Sequence, residues 1–332
     1  MIKKLLLCFT GSFLLLLSVT SEATQVNYDA TCYSAPHDTY DNLIDAWVER
    51  NRNNPGLNRT YFEEQVSRSD FDSVRQTIDC RWLVYQHGPY QIGGFMLKPY
   101  DDEIENLPVI IYNREGYGSR GSVSFRQLIT ELAPYVEAGF VVIGSQYKGG
   151  GGVFPNQRNG DDEFGGADVA SILALLDIID QDSKADVSRV GLLGSGRGSM
   201  MSFLAARNND SFKAIASVRS LTNLEAWIDV RAANERVAAQ YIPDYDSSRL
   251  EALAQRSVTE WAGDISSTTP VLLLHGARDR QIPPEQSQQL AEIFASQGHP
   301  HRLQTYSHGD HNLRGYEGHV RRDVIEWFKE YL

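Results

Sequence analysis

Positive charge is in short supply in this chain. Its 332 residues carry 31 Lys+Arg against 43 Asp+Glu, a formal net charge of −12, and no block of basic residues. Phosphate contacts must come from basic side chains, so the balance argues against nucleic acid as a partner. No internal repeat is present, which removes collagen-like and coiled-coil architectures. Only one long apolar run occurs, Leu5 to Leu17, and its 13 residues fall short of the roughly 20 that a spanning helix needs. What remains is a 42% hydrophobic, 22% charged composition with 27 Gly and 12 Pro, that of a folded, acidic protein of enzyme size.

The apolar run itself has another meaning. Lys3 and Lys4 precede it, and Ser18-Val19-Thr20-Ser21-Glu22-Ala23 follows, with Ser21-Glu22-Ala23 as an A-x-A-like exit. This pattern predicts a secretory signal peptide over residues 1–23, cleaved near Ala23, and a mature protein exported to the periplasm or outside the cell with no stable membrane insertion. Cleavage discards Cys8 and leaves Cys32 and Cys80, an even pair in an oxidising compartment, for which a disulfide is expected.

Residues 24–80 read as an N-terminal helical extension, with apolar residues spaced by threes and fours over Asp41 to Arg52 and Tyr61 to Thr77. Beyond Arg81 the period changes. Leu83-Val84-Tyr85 and Gln91 to Leu97 flank His87-Gly88-Pro89 and predict a hairpin. Short apolar runs rich in β-branched residues then recur at 109–112, 140–143, 190–193, 214–218 and 271–274. Helical stretches separate them at Phe125 to Glu137, Ala167 to Ile179, Met200 to Arg207 and Pro284 to Ser296. A last strand (Arg302 to Tyr306) and a last helix (Glu317 to Tyr331) close the chain. Fully apolar strands alternating with helices mean a mostly parallel α/β sheet with helices on both faces. Leu221 to Thr269 breaks the alternation and reads as a short helical cap over the sheet.

Such sheets place their chemistry in loops after the carboxyl ends of the strands. In Val190-Gly191-Leu192-Leu193-Gly194-Ser195-Gly196-Arg197-Gly198-Ser199, a strand runs into glycines and then a helix, the context of a nucleophile elbow. With Gly194 and Gly198 as the two fixed glycines of G-x-S-x-G, the central position is Gly196, not serine. Asp279, after the 271–274 strand, and His311, after the last strand, follow in the acid-then-base order of α/β-hydrolases. In that arrangement the histidine takes the nucleophile's proton and the acid fixes its tautomer.

From about Arg81 onward the chain resembles the catalytic domain of the prolyl oligopeptidase family of serine peptidases, in particular its bacterial members without a propeller. The residues that carry the likeness are Pro108 to Arg114, Asp162 to Val169, Arg189 to Gly194, Arg197-Gly198, Met200-Met201, Arg256-Ser257, Trp261-Ala262 and Leu273 to Gly276 with Asp279. The resemblance implies an α/β-hydrolase fold, no cofactor, and a small peptide or ester as substrate or ligand. It places Gly196 on the nucleophile, Ser199 on a family glycine, Asp279 on the acid and His311 on the base. The backbone N–H groups of an oxyanion hole fall near Glu115 and Gly116 and at Arg197. Where the family reads N-R-G-G, this chain has Asn113-Arg114-Glu115-Gly116, so a carboxylate at Glu115 opposes the developing charge if it points inward.

Ser195 and Ser199 flank the central position, but an elbow aims only its central side chain at the histidine. Several other features have plainer readings. Gly149 to Gly152 lacks the Lys-Ser/Thr of a phosphate loop. Asp161-Asp162-Glu163 lacks an EF-hand spacing. His299, His301, His308 and His311 follow no zinc rule, so no metal is expected. Asn58-Arg59-Thr60 and Asn209-Asp210-Ser211 are glycosylation acceptors only in a eukaryotic secretory pathway. Two functional readings follow: a member of the family that retains acid, base and pocket but is catalytically impaired, or an active serine-type peptidase or esterase working through a rearranged site.

Overall fold

The computed structural model describes residues 24–151 and 159–332. The expected signal peptide over 1–23 and the last glycine of the Gly149 to Gly152 run lie outside the described residues. Nine strands form one sheet in the order β1-β2-β3-β5-β4-β6-β7-β8-β9. They are β1 (Val26–Thr31), β2 (Ile78–His87), β3 (Tyr90–Pro99), β4 (Leu107–Asn113), β5 (Val141–Ser145), β6 (Ala185–Ser195), β7 (Phe212–Val218), β8 (Val271–Gly276) and β9 (His301–Tyr306). From β5 to β9 every neighbour is parallel, while β1, β2 and β3 join antiparallel at one edge. The expected hairpin is β2 and β3, turning at Gly88.

The strands that read as unbroken apolar runs divide by parity between two cores, because alternate side chains leave opposite faces of a sheet. Val109, Ile111, Val190, Leu192, Val271 and Leu273 face one core. Ile110, Leu193, Leu272 and Leu274 face the other. On the second face lie α1 (Tyr40–Arg50), α2 (Arg59–Gln65) and α3 (Arg68–Thr77), whose Leu43, Ile44, Trp47, Phe62, Phe71 and Val74 are buried there. The N-terminal extension therefore braces the sheet from beneath. Thr39, Asn58 and Ser67 cap these three helices, each accepting a backbone N–H, which gives Asn58 a structural duty.

The extension departs from its helical reading at its start. Residues 26–31 form β1, which pairs with β2 and is largely exposed on both faces. An edge strand that buries no face carries no apolar stripe, so its sequence gives a weak pattern. The expected disulfide is present: Cys32 is bonded to Cys80, and Cys32 N–H also donates to the Cys80 carbonyl at 2.8 Å. A second departure lies at 125–137, where the expected single helix is three short pieces, the middle one wound into a wide turn. Pro134 has no N–H to donate and ends the regular ladder there.

On the first face, α4 (Arg197–Ala206) is buried along nearly its whole length against the sheet. The 221–269 insertion divides into two parts. Its first part, α5 (Leu224–Val230) and α6 (Ala232–Tyr241), lies by the carboxyl ends of the strands, where Trp227 stacks on Phe164 with ring centroids 5.7 Å apart. Its second part, α7 (Tyr245–Arg256) and the turns over 258–264, adds Leu253, Val258, Trp261 and Ala262 to the core beside α4. Only the first part is a roof; the second is sheet cover. The expected helix over 167–179 is present as three short pieces that bury Ile172, Leu175, Ile178 and Ile179 on the first face, and two longer helices follow: α8 (Glu285–Gln297), ended by Gly298 in the left-handed conformation, and α9 (Glu317–Tyr331). Among the described residues no helix is long and apolar enough to cross a membrane.

Candidate active site

Strand β6 ends at Ser195 and α4 begins at Arg197, so Gly196 alone makes the turn between them. Its φ of 56° and ψ of −120° are open to glycine and strained for any other residue. Gly196 N–H donates to Val218 O at 3.0 Å, which fastens the turn to the end of β7. Gly198 is required for a different reason: a Cβ there would lie 1.9 Å from Asn113 O, so the helix could not approach β4.

The two flanking serines are both engaged. Ser199 is fully buried and its hydroxyl is shared between Gly194 O (3.0 Å) and Val218 O (3.2 Å), which pins the first turn of α4 to the sheet. Ser195 Oγ accepts from Arg219 Nε at 2.7 Å.

Asp279 follows β8 on a tight turn. Its Oδ1 accepts the N–H groups of Gln281 (2.8 Å) and Ile282 (3.0 Å), and its Oδ2 lies 2.8 Å from His311 Nδ1. His275, absent from the sequence-based site, stands behind the pair with Nε2 3.4 Å from the same oxygen. That ring nitrogen also donates to Ile282 O (3.0 Å), and Nδ1 accepts from Ser287 Oγ (2.6 Å). Burial pushes the Asp279 carboxyl upward, but the hydrogen bonds from His275 and His311, then the His311 charge and the Ile282 N–H, outweigh it and hold it well below the usual carboxylate range. A depressed folded-state value stabilises the fold above the unfolded value, about 3.9, and that stabilisation is lost as pH falls through the lower folded value. The native chain is thus expected to exceed Asp279→Asn in urea midpoint at pH 7, with the gap narrowing as pH is lowered below about 4. A gap independent of pH would remove the charge on Asp279 from the account.

The Glu115 carboxylate turns toward the elbow, although its side chain stays 40% exposed. A Cβ built on Gly196 would lie 3.0 Å from its Oε2 and 3.4 Å from its own Cβ. The carboxylate therefore stands in the space a side chain at position 196 would enter. Its partner is Arg219, with Nη2 3.4 Å from Oε2. Arg219 also donates from Nη1 to His311 O at 2.8 Å, so one guanidinium links the Glu115 loop, the elbow and the His311 loop. Its place just past the carboxyl end of β7 was the only sequence signal for it, since a lone arginine belongs to no motif.

Arg197 contributes its backbone to the site and its side chain to the scaffold. As the first residue of α4, its N–H has no acceptor within the helix. Its buried guanidinium donates to both oxygens of Asp162 at 2.7 Å, to Asp168 Oδ2, and to Gly116 O at 3.0 Å. Asp162 Oδ2 also accepts Gly118 N–H at 2.7 Å. This cluster fixes the 115–121 loop to the elbow. Burial raises the Asp162 carboxyl, but the Arg197 charge and hydrogen bonds and the N–H groups of Phe164 and Gly118 prevail and lower it; burial raises Asp168, with Asp162 adding to it against the pull of Arg197.

The carboxylates of Asp162 and Glu163 are thus already engaged, Glu163 with Lys148 Nζ at 2.6 Å. The histidines also take separate partners: His299 meets Thr269 O, His301 meets His299 O, and His308 meets Arg278. Among the described residues no group of three or more His, Cys, Asp or Glu is placed to hold a metal.

Gly196, Glu115, Gly116, Arg197 and His311 line one cavity of about 230 Å³, walled on its apolar side by Tyr117, Phe164, Leu221, Trp227 and Ile282. The sequence-predicted residues are therefore brought together, with Asp279 beneath His311.

Residues 124–332 match the model of the prolyl oligopeptidase family. The uncharacterized peptidase YuxL of Bacillus subtilis (strain 168) is 26% identical over 261 residues, covering 73% of this chain and 37% of that protein. The uncharacterized peptidase YtmA of the same organism is 22% identical over 266 residues and is covered over 98% of its length. Among solved structures, an acylaminoacyl peptidase of Pyrococcus horikoshii superposes with a TM-score of 0.66 at 21% identity, over 77% of this chain and 42% of that one. An acetyl xylan esterase from Paenibacillus sp. R4 gives 0.58 at 19% identity, over 77% of this chain and 85% of the other. The chain thus spans well under half of YuxL and of the acylaminoacyl peptidase, and nearly all of YtmA. The structural likeness is one of fold, the α/β-hydrolase fold, and with the family match covering more than half of its residues the chain belongs to the prolyl oligopeptidase family.

Proposed function

We propose that this chain is an exported, catalytically impaired member of the family that uses its cavity to bind a small peptide or an ester-like ligand. The observation that carries the reading is Gly196: the elbow geometry is present, and the residue at its centre has no side chain to form an acyl-enzyme. Two further features support it. Glu115 holds a carboxylate 3.0 Å from where a Cβ on Gly196 would lie, beside the place where an acyl transfer would develop negative charge, and the neighbouring serines are committed to Arg219 and to backbone carbonyls. The His311–Asp279 hydrogen bond is the feature that favours the alternative of a working peptidase or esterase, in which His311 activates water directly.

Export draws support from the disulfide and from Thr24. A cut after Ala23 would leave Thr24 first, and its nitrogen and Oγ1 lie 3.0 and 2.9 Å from Asp177 Oδ2, so the new ammonium would meet a carboxylate.

The test is fluorophosphonate labelling with p-nitrophenyl ester and peptide anilide turnover on the purified native chain. No label and no turnover above the buffer rate are expected. A labelled serine located by mass spectrometry would make that residue the nucleophile and overturn the reading.

A further inference from the structure

Among the described residues the charged groups around the cavity are matched, with one exception. Arg197 is taken up by Asp162 and Asp168, Arg219 by Glu115, and Asp279 by His311. Arg231 also lines the cavity, and among the described residues no carboxylate lies within ion-pair distance of it. In a chain of net charge −12 an unmatched guanidinium at a pocket is not explained by a shortage of acids.

Nor is this arginine loosely placed. Arg231 is the junction between α5 and α6, its N–H on Ile228 O and its carbonyl accepting Asn234 N–H at 2.9 Å. Its Nε donates to Asn234 Oδ1 at 2.9 Å, and the buried Asn234 in turn donates through Nδ2 to Trp227 O at 2.7 Å. One edge of the guanidinium is thereby fixed relative to Trp227, which walls the same cavity. A planar fork held by one edge retains donors on its outer edge, the geometry that suits a carboxylate.

We infer that the cavity selects ligands that pair an apolar or aromatic side chain with a free carboxylate, the side chain among Phe164, Leu221, Trp227 and Ile282 and the carboxylate on Arg231. The inference rests on the reading of this cavity as a binding site and names its ligand class: the carboxyl-terminal residue of a short peptide, or an N-acylated amino acid. A single guanidinium beside apolar walls suits a carboxylate better than a phosphate, which asks for more donors.

The experiment is isothermal titration calorimetry with N-acetyl-L-phenylalanine and its amide, N-acetyl-L-phenylalaninamide. The native chain is expected to bind the acid about tenfold more tightly than the amide, a difference typical of one charge-assisted contact. Arg231→Gln is expected to bring the acid down to the amide's affinity and leave the amide unchanged, while Arg231→Lys keeps part of the preference. Arg231 is exposed, so these variants are expected to unfold at the native urea concentration, which the same samples check. Equal binding of both ligands, or a preference untouched by Arg231→Gln, overturns the inference and leaves the pocket reading standing. Binding of neither ligand overturns both.

Discussion

Gly196→Ser alone is expected to gain little activity, and Glu115→Gly combined with Gly196→Ser to gain a great deal. The added Cβ of the single variant would lie 3.0 Å from Glu115 Oε2, and the hydroxyl would have to share that space with a carboxylate paired to Arg219. Removing Glu115 clears that space and takes its negative charge out of the site. The other parts are already assembled: His311 is oriented by Asp279 at 2.8 Å, and the Arg197 N–H stands at the head of α4. Losing the nucleophile of a serine protease costs about 10⁶ in kcat, so even a poorly tuned restoration is expected to raise p-nitrophenyl ester turnover by about 10³ over the native chain. The double variant is also expected to react with a fluorophosphonate at the introduced serine and to be less stable by about 1–3 kcal/mol, because serine at this turn stores backbone strain. Full activity in the single variant would mean that Glu115 swings aside freely. No activity in either would place the defect beyond these two positions.

The largest stability effect is expected at Arg197→Met. The substitution leaves Asp162 and Asp168, both buried, without their shared cation. Breaking a buried pair from one side typically costs about 3–5 kcal/mol, since the remaining charge keeps its desolvation penalty and loses its compensation. Urea unfolding would report it as a lowered midpoint. Arg59→Met is the control, because its ion pairs with Asp45 and Glu63 are exposed and such pairs contribute about 0–1 kcal/mol. Equal effects at the two sites would refute the distinction between buried and exposed pairing drawn for this fold.

Much of the fold was legible because the central strands are buried on both faces. Runs such as Val109-Ile110-Ile111 and Leu272-Leu273-Leu274 divide between two cores and leave no polar positions to confuse the pattern. Strand β1 escaped because it buries neither face, and the 125–137 helix was broken by Pro134, whose effect depends on how the turn before it closes. At the site, glycines and strand-end loops pointed to Gly196, Asp279 and His311, which the fold brings together. Which way Glu115 turns could not be read from its neighbours in the chain; Arg219, which reaches it from just past β7, pairs with it beside the elbow. The Arg231–Asn234–Trp227 connection was hidden for the same reason: each residue is ordinary for its helix, and the meaning lies in what the cavity leaves unmatched.

The joint between Cys32 and Cys80 also sets the protein's response to a pull. Tension applied at the amino terminus first strips Thr24 from Asp177, then unzips β1 from β2 one rung at a time from Val26 toward Thr31. Unzipping loads hydrogen bonds in sequence, so this segment yields at low force. It stops at Cys32, where a covalent bond passes the load directly to β2 within the sheet and leaves α1, α2 and α3 slack inside the closed loop. These three helices are thus shielded from traction in the oxidised chain and become the next part to tear away once the sulfurs are reduced.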